Sequence, residues 1–282
     1  MKIALVTDST CDLPRETAEK FNIHVVPLRI HYSGGEFRDG IDITSREIMN
    51  RLEHEVPKTS MPSPEEITRI YHSLQEQGYT HCIVLTVSAS LSGTHNTFRL
   101  CAQEISGMKI DVIDSKGVSW ILGFLVLETA RLIRKTGNYE EIIRKIHETK
   151  EKIKAYFILD TLQYVQKGGR IGKVAKSLGS MLHIKPVITF DSEGKLHTHS
   201  VARGKKQALK KLMAPRLRAS VFHTRPDCRV AHPGRKGSRS AVESIEKRRK
   251  CFRNLSGVDR PDSRCPRRSR FAGHRHPSPR LI

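Results

Sequence analysis

Short apolar runs alternate with amphipathic segments through the first 160 residues of the chain. The apolar runs are typical of strands buried in a parallel sheet, and they occupy residues 2–7, 23–30, 81–87, 109–113 and 156–159. Between them, apolar residues recur at helical spacing, which predicts helices over residues 14–21, 44–54, 64–77, 94–105, 118–135 and 138–153. This alternation predicts an α/β fold with a mostly parallel sheet.

Polar residues in front of several helical segments support their predicted starts. Asp12 is the expected N-cap of the first helix. Thr44 with Glu47, and Ser63 with Glu66, have the three-residue spacing of a capping box, in which a hydroxyl and a carboxylate each bond a free backbone N–H. These caps indicate where the helices begin and where the preceding loops end.

The pattern changes after residue 160. Two strands over residues 186–190 and 195–203 flank a short polar turn, which predicts an antiparallel hairpin, and a helix ending at Leu182 precedes it. We therefore predict two domains. The first is a parallel-sheet α/β/α domain over residues 1–155, and the second is an α+β domain with antiparallel strands over residues 156–282.

Two hydroxyl-rich segments, residues 59–63 and 88–94, stand out among the predicted loops. The second follows a buried strand and leads into a helix, so it aims free backbone N–H groups and the positive end of the helix dipole at one point. Ser92, Gly93 and Thr94 lie at that point, where hydroxyls can complete a site for a carboxylate or a phosphate. Helix capping alone is the alternative explanation of the same three residues.

The first hydroxyl-rich segment favours ligand binding over capping. Helix capping accounts for Ser63 but leaves Thr59 and Ser60 without a structural role. Pro57 and Pro62 stiffen the loop that carries them. Thr59 and Ser60 are therefore candidates for contact with the same anion.

A serine-dependent enzyme is the competing interpretation of the second segment. Ser92 would then be the nucleophile and His95 its base, as in acyl hydrolases and transferases. The chain lacks Gly-x-Ser-x-Gly, and spacing along the sequence reveals no Ser-His-acid set. A nucleotide site is disfavoured as well, because neither a Walker A sequence nor a complete Gly-x-Gly-x-x-Gly occurs. An anion-binding protein is therefore preferred over an enzyme.

Positive charge is concentrated at the end of the chain. The chain carries 50 Lys and Arg against 29 Asp and Glu, a net charge of +21, and residues 214–282 alone contribute +14 of it. In those residues Arg outnumbers Lys by 16 to 3, seven of the 13 prolines occur, and clear apolar periodicity is lost. A basic chain favours nucleic-acid binding, but here that function would rest almost entirely on the tail.

Three interpretations of the tail compete. A disordered basic arm would bind nucleic acid or acidic lipid, and a folded segment of unusual composition is the second interpretation. We favour the third, a shift of reading frame, because amino-acid usage changes abruptly after Met213. Codon degeneracy allows residues 234–239 to be read one base forward as Asp-Ala-Lys-Glu-Ala-Glu, and residues 272–277 as Pro-Val-Ile-Gly-Thr-His. An intact frame through codon 282 on resequencing would contradict this interpretation.

The remaining features predict a cytoplasmic protein without a metal or a cofactor. Six cysteines are scattered without a Cys-x-x-Cys pair, which argues against a zinc knuckle and a disulfide framework. The pairs His197 with His199 and His274 with His276 each supply only two ligands. No apolar stretch has the length of a membrane span or the pattern of a secretory signal.

Four short motifs occur in order along the chain. They are Val-Thr-Asp-Ser-Thr-Cys-Asp-Leu-Pro at residues 6–14, Thr-Ser-Met-Pro-Ser at 59–63, Leu-Ser-Gly-Thr at 91–94 and Lys-Gly-Gly-Arg-Ile at 167–171. Together they resemble the DegV family of bacterial fatty-acid-binding proteins, over residues 1–213. The resemblance implies a two-domain fold with a fatty acid buried between helices.

The resemblance also implies roles for the hydroxyl-rich segments. In the family, the Thr of the first loop and the Ser of the Ser-Gly-Thr turn hold the carboxylate of the fatty acid. These residues correspond to Thr59 and Ser92, with Ser60, Gly93 and Thr94 around them. The resemblance therefore implies that the anion expected at these residues is the carboxylate head group of a long-chain fatty acid.

A partner follows from the same resemblance. Family members present the fatty acid to a fatty acid kinase that feeds phospholipid synthesis, and Arg170 would contact the acyl phosphate or the kinase. The protein itself then does no chemistry, no DNA is expected among its partners, and transient membrane contact is allowed. The family usually ends with a Gly-Thr-His-Thr-Gly-Pro-Gly-like motif, whose His helps at the head group. The chain as written lacks this motif, and the shifted frame at residues 272–277 would restore its first part.

Overall fold

The structure, a computed structural model, describes residues 1–174 and 184–213. The strands of the described residues are β1 (Ile3–Asp8), β2 (Ile23–Val26), β3 (Arg29–Tyr32), β4 (Gly35–Arg38), β5 (Lys58–Ser60), β6 (His81–Thr86), β7 (Lys109–Asp114), β8 (Ile184–Phe190) and β9 (Leu196–Arg203). The helices are α1 (Arg15–Phe21), α2 (Ser45–Arg51), α3 (Pro64–Glu76), α4 (Thr94–Gln103), α5 (Trp120–Thr136), α6 (Tyr139–Lys152), α7 (Gln163–Lys167) and α8 (Gly204–Leu212). The mixed α/β class predicted from the sequence is confirmed.

A parallel sheet in the order β2-β1-β6-β7 forms the centre of the fold. Its central strands are apolar on both faces, as expected for a parallel sheet with helices on either side. Val6 and Val84 pack in one cluster with Tyr71 of α3 and Phe98 of α4. Residues that alternate with them in β1 and β6 point to the opposite face, which α5 contacts. The binding loops therefore leave from a rigid, well-packed base.

Two smaller antiparallel sheets complete the described chain. One has the order β4-β3-β5, and the other is the hairpin of β8 and β9, followed by α8. The hairpin agrees with the sequence-based prediction. Val174, Ile188 and Leu196 form the buried centre of a separate apolar cluster beside the hairpin.

Most helix starts follow the local chemistry predicted for them. Thr44 accepts a hydrogen bond from the backbone N–H of Glu47, and the Glu47 carboxylate bonds back to Thr44, which confirms the capping box. Ser63 likewise accepts the N–H of Glu66 at 3.2 Å. The second capping box is nevertheless incomplete, because the Glu66 carboxylate pairs with Arg29 at 2.8 Å.

Three local predictions were wrong. Asp12 does not cap α1, because it adopts a left-handed conformation at the end of a 3₁₀ turn and the N-cap position falls on Pro14. The strand predicted over residues 23–30 is split into β2 and β3, since Pro27 cannot donate a ladder hydrogen bond. Residues 156–159 do not form a strand, and Phe157 makes only an isolated bridge to Ile188.

Several predictions fall on residues that the structure does not describe. The helix ending at residue 182 is one of them. The others concern residues 214–282, with their basic tail, their shifted frame and the pair His274 and His276. All of these lie outside the described residues, and the domain boundary at residue 155 stays a prediction.

A buried carboxylate joins the carboxyl ends of the two central strands. Asp8, which is fully buried, accepts the N–H of Val87 at 2.7 Å through Oδ2. Its Oδ1 accepts the N–H of Thr10 at 3.0 Å and the Thr10 hydroxyl at 2.5 Å. Burial raises the pKa of Asp8, while these hydrogen bonds act in the opposite direction. The loops after β1 and β6 are thereby held in one position relative to each other.

We expect Asp8→Ala to lower the free energy of unfolding, because it leaves the N–H groups of Thr10 and Val87 without an acceptor. The loss should be roughly 1–3 kcal/mol for each of these two donors. Urea unfolding followed by circular dichroism measures it, with Glu53→Ala as the control at an exposed carboxylate. Equal stability of the two variants would show that the Asp8 bridge is not needed.

Candidate functional site

A cavity of about 570 Å³ opens among the loops that follow the parallel strands. Its lining combines hydroxyl groups, apolar side chains and one guanidinium. The lining residues are Thr10, Leu28, Thr59, Ser60, Met61, Val87, Leu91, Ser92, Gly93, Val118, Arg170 and Leu196. Ligands of parallel α/β sheets bind beyond the carboxyl ends of the strands, and the cavity lies at that edge.

The structure brings five of the six predicted site residues into this lining. Thr59, Ser60, Ser92, Gly93 and Arg170 all face the cavity. They come from three separate segments of the chain. That these residues bind a head group stays a prediction, but a ligand in the cavity would meet them together.

Thr94, the sixth predicted residue, lies behind the cavity wall. It is fully buried, and its Oγ1 lies 2.8 Å from Oγ of Ser92. Its backbone N–H also donates to Ser92 Oγ, at 3.3 Å. Thr94 therefore orients the Ser92 hydroxyl rather than facing a ligand itself.

Thr59 and Ser60 reach the cavity from a short strand that was not predicted. In β5, Thr59 pairs with Ile30 and Ser60 pairs with Arg29 of β3. Both hydroxyl residues are exposed to solvent, although they belong to a sheet. The sequence pointed to these residues but placed them in a loop, because three residues are too few to show a strand period.

The two hydroxyl-rich segments meet where the Met61 side chain packs on Gly93. A Cβ placed on Gly93 would lie 2.4 Å from Sδ of Met61, well inside van der Waals contact. The same sulfur accepts a hydrogen bond from the Thr97 hydroxyl at 3.3 Å. The Met61 side chain therefore links the loop of Thr59 to the start of α4.

Arg170 is held at the cavity wall by backbone carbonyls. Its Nε donates to the carbonyl of Leu91 at 3.1 Å, and its Nη1 donates to the carbonyl of Gly168 at 2.6 Å. The residue is exposed, and Gly169 before it has a positive φ of 72°. The Gly-Gly turn thus directs a guanidinium toward the loop that carries Ser92.

The turn of the β8–β9 hairpin packs directly on the loop after β6. Ser88 Oγ donates to the carbonyl of Gly194 at 3.0 Å, and Ser90 Oγ donates to that of Glu193 at 2.6 Å. A Cβ on Gly194 would lie 2.2 Å from Ser88 Oγ, and its φ is +76°. This close contact brings Leu196, two residues further on, into the cavity lining.

The structure does not assemble the catalytic pair predicted as an alternative. His95 Nδ1 lies 3.1 Å from the hydroxyl of Thr86, while Ser92 Oγ pairs with Thr94. Burial lowers the pKa of His95, and the charge of Asp114 opposes that shift. Within the described residues no hydrogen bond joins Ser92 to His95.

A different serine lies beside an imidazole. Ser60 Oγ is 2.7 Å from Nε2 of His31, and Nδ1 of the same ring is 3.6 Å from Oε2 of Glu36. His31 and Glu36 face each other across β3 and β4. Sequence spacing did not reveal this group, because three strands must pair before its members meet.

Other lining residues were not predicted from the sequence either. Leu28 and Leu196 carry no local signal, because an apolar residue after a strand or at the start of one is usually core. Val118 follows a strand whose carboxyl end lies at the binding edge, and that placement is the signal that could have found it.

In residues 1–174 and 184–213, no group of three or more His, Cys, Asp and Glu side chains is placed to hold a metal ion. His197 and His199 lie on β9, and His199 packs edge-on against Tyr156. None of the helices described combines the length and the apolarity that crossing a membrane requires.

The chain matches a known protein family. A sequence model of uncharacterised proteins of the DegV family matches residues 2–254. A DegV domain-containing protein of Clostridium acetobutylicum is 38% identical over 262 residues, which cover 93% of this chain and 91% of that protein. One of Staphylococcus aureus is 33% identical over the same shares of the two chains.

Solved structures with a similar fold are described as fatty-acid-binding proteins. A DegV family protein of Thermus thermophilus superposes with a TM-score of 0.72 at 34% identity, over 78% of each chain. DegV of Bacillus subtilis gives a TM-score of 0.69 at 30% identity, over 75% of this chain and 76% of that one. A stearic-acid-binding protein of Eubacterium ventriosum gives 0.66 at 30% identity, over 75% and 73%.

Proposed function

We propose that this chain, which belongs to the DegV family, binds a long-chain fatty acid and presents its carboxylate to a fatty acid kinase without catalysing a reaction itself. The observation that carries the proposal is the composition of the cavity lining. Thr59, Ser60 and Ser92 line the same space as apolar residues. A ligand with one anionic end and one long apolar end satisfies both parts.

The apolar part of the lining supports a lipid rather than a small polar anion. Leu28, Val87, Leu91, Val118 and Leu196 offer the cavity no hydrogen-bonding side chain. Each CH₂ group of an acyl chain that leaves water contributes about 0.8 kcal/mol. A long chain therefore supplies most of the affinity, and the hydroxyls orient the head group. The fatty acids bound by the solved relatives support the same ligand.

We expect organic extraction of the purified protein to release one fatty acid per chain, identified by mass spectrometry. The variant Thr59→Ala/Ser92→Ala should retain less of that lipid through purification, because it removes two donors to the carboxylate. Ser73→Ala/Ser106→Ala removes two hydroxyls outside the lining and should keep it. Folded wild-type protein that holds no lipid and takes up none of an added fatty acid would contradict the carrier function.

Arg170 supports the part of the proposal that concerns the kinase. Its guanidinium is exposed at the cavity wall, beside the loop of Ser92. Guanidinium groups bind phosphate oxygens through paired N–H donors. Arg170 would therefore hold the acyl phosphate or contact the kinase once phosphate has been transferred. Such a carrier acts in the cytoplasm, and transient contact with a membrane delivers or collects its lipid.

We expect Arg170→Ala to reduce acyl phosphate formation while leaving fatty acid bound. The lipid-loaded protein is incubated with a bacterial fatty acid kinase and ATP, and acyl phosphate is trapped with hydroxylamine. Arg99→Ala, at an exposed arginine outside the lining, is the control. Equal product from both variants would remove Arg170 from the reaction.

A serine-dependent acyl hydrolase is the second candidate, and one observation favours it. Glu36, His31 and Ser60 follow the order of an acid, a base and a nucleophile beside the cavity. The 3.6 Å separation of Glu36 and His31 is longer than a hydrogen bond, and their side chains are 50% and 36% exposed. A buried, tightly bonded acid normally orients the base in such enzymes. A carrier is therefore preferred.

Hydrolysis of p-nitrophenyl octanoate separates the two candidates. For a carrier, wild type, Ser60→Ala and Ser92→Ala should release nitrophenol at the same slow rate. An initial burst in wild type that Ser60→Ala abolishes would establish the hydrolase instead. Labelling of Ser60 by a fluorophosphonate would also establish the hydrolase, independently of turnover.

A further inference from the structure

We propose that Ser9 is a positioning residue of the head-group site, and that its hydroxyl fixes where Thr59 lies relative to Ser92. The inference rests on the proposed function, because it concerns the carboxylate that Thr59 and Ser92 are proposed to bind. Ser9 itself lies outside the cavity lining. It belongs to the motif of residues 6–14 and follows the buried Asp8 directly.

The two proposed head-group residues belong to different sheets of the fold. Thr59 lies on β5 of the antiparallel sheet β4-β3-β5, whereas Ser92 lies in the loop after β6 of the parallel sheet. Within the described residues, no strand pairing joins these two sheets. The separation of Thr59 and Ser92 therefore depends on contacts other than strand pairing.

The Ser9 hydroxyl makes two of the contacts between the sheets. Its Oγ accepts the backbone N–H of Leu28 at 3.1 Å and donates to Oδ2 of Asp39 at 2.7 Å. Leu28 immediately precedes β3, and Asp39 immediately follows β4. The N–H of Asp39 also donates to the carbonyl of Leu28, at 2.9 Å. Ser9 therefore holds the turn after β1 against two neighbouring strands of the antiparallel sheet.

Strand pairing carries this anchorage from Leu28 to Thr59. Thr59 pairs with Ile30 of β3, two residues after Leu28. Because side chains alternate along a strand, Thr59 lies on the face of Ile30 and Leu28. Leu28 and Thr59 both line the cavity. A shift of the sheet at Ser9 would therefore move Thr59 within the lining.

Asp8, the residue before Ser9, anchors the segment of Ser92. Asp8 accepts the N–H of Val87 at 2.7 Å, and Val87 leads into the loop that carries Ser92. Within this loop the N–H of Ser92 donates to the carbonyl of Ser88 at 3.2 Å. Two adjacent residues thus hold the two segments of the head-group site. The planar peptide bond between them leaves little freedom for one segment to move against the other.

Other contacts keep the antiparallel sheet docked when the Ser9 hydroxyl is removed. Arg29 pairs with Glu66 of α3 at 2.8 Å, and the Met61 side chain lies on Gly93. Loss of the hydroxyl should therefore shift the sheet without unfolding the chain. A carboxylate that needs donors from both segments should respond to this shift more strongly than a ligand held by its acyl chain alone.

Calorimetric titration of the full chain, freed of bound lipid on a hydrophobic resin, tests the inference with sodium decanoate and 1-decanol. We expect Ser9→Ala to weaken decanoate binding by about tenfold, the lower end of what one hydrogen bond to a charged group contributes. Binding of 1-decanol, which has the same chain and no charge, should stay close to that of wild type. The control Ser33→Ala removes another serine–carboxylate bond, to Glu55 at 2.9 Å outside the lining, and should behave like wild type.

Conservative variants distinguish positioning from a general role in folding. Ser9→Thr keeps the hydroxyl and Asp39→Asn keeps an acceptor for it, so both should bind decanoate nearly as wild type does. Asp39→Ala should weaken decanoate binding as Ser9→Ala does. In the Thr59→Ala background, Ser9→Ala should cause no further loss, because the residue that it positions is gone. Circular dichroism melting shows whether each variant folds.

The outcomes separate this inference from the proposed function. The role of Ser9 would be overturned, and the carrier left intact, by decanoate affinity that is unchanged in folded Ser9→Ala, that falls as much as affinity for 1-decanol, or that falls additively with Thr59→Ala. Failure of both Ser9→Ala and Asp39→Ala to fold would overturn it too, because the contact would then serve the fold. Absence of decanoate binding by folded wild type would overturn both the inference and the carrier function.

Discussion

The buried carboxylate of Asp8 is the contact on which the binding edge depends. It accepts backbone N–H groups of Thr10 and Val87, the residues at which the chain leaves the two central strands. Both of these residues line the cavity. A buried carboxylate is tolerated only where donors satisfy it, so the sheet fixes the two loops and the loops satisfy the carboxylate. The loop of Ser92 begins from this fixed point.

Two close contacts at glycines lie beside the cavity. Gly93 has no side chain where Met61 packs, and Gly194 has none where Ser88 packs. In the first contact the Met61 side chain lies on Gly93 at the start of α4, and in the second the turn of the β8–β9 hairpin bonds to the loop after β6. Hydroxyl residues, one arginine, leucines and valines line the same cavity. An amphipathic ligand matches that mixed lining.

Features set by local chemistry could be predicted from the sequence, and features set by pairing could not. The parallel sheet follows from runs of Val and Ile, and the start of α2 follows from Thr44 and Glu47, which are close in the chain. The strand predicted over residues 23–30 is interrupted at Pro27. The apolar residues on both sides of this proline made the segment look like one strand. Asp12 was a plausible cap by spacing, but backbone conformation put Pro14 in that position.

In the candidate site, too, contacts that depend on strand pairing could not be predicted from the sequence. Thr59, Ser60 and Ser92 stay predicted head-group residues, and their place in the lining could be predicted because they lie in hydroxyl-rich segments near strands. His31 was not found, because its contact with Ser60 exists only once β3 and β5 pair. Leu28 and Leu196 have no polar group to reveal them, and they join one cavity only through tertiary packing.

Leu196 lies late in the chain, and its position determines when the cavity lining is completed during synthesis. The parallel sheet and both hydroxyl-rich loops are encoded before residue 115, so this part of the chain leaves the ribosome first. The cavity wall is closed only when the β8–β9 hairpin has been made and has docked on Ser88 and Ser90. A nascent or truncated chain that ends before the hairpin would carry both hydroxyl-rich loops but would lack Leu196 of the cavity lining. Tight retention of a lipid would therefore mark chains that have completed translation through the hairpin and have folded, and incomplete chains would be left empty.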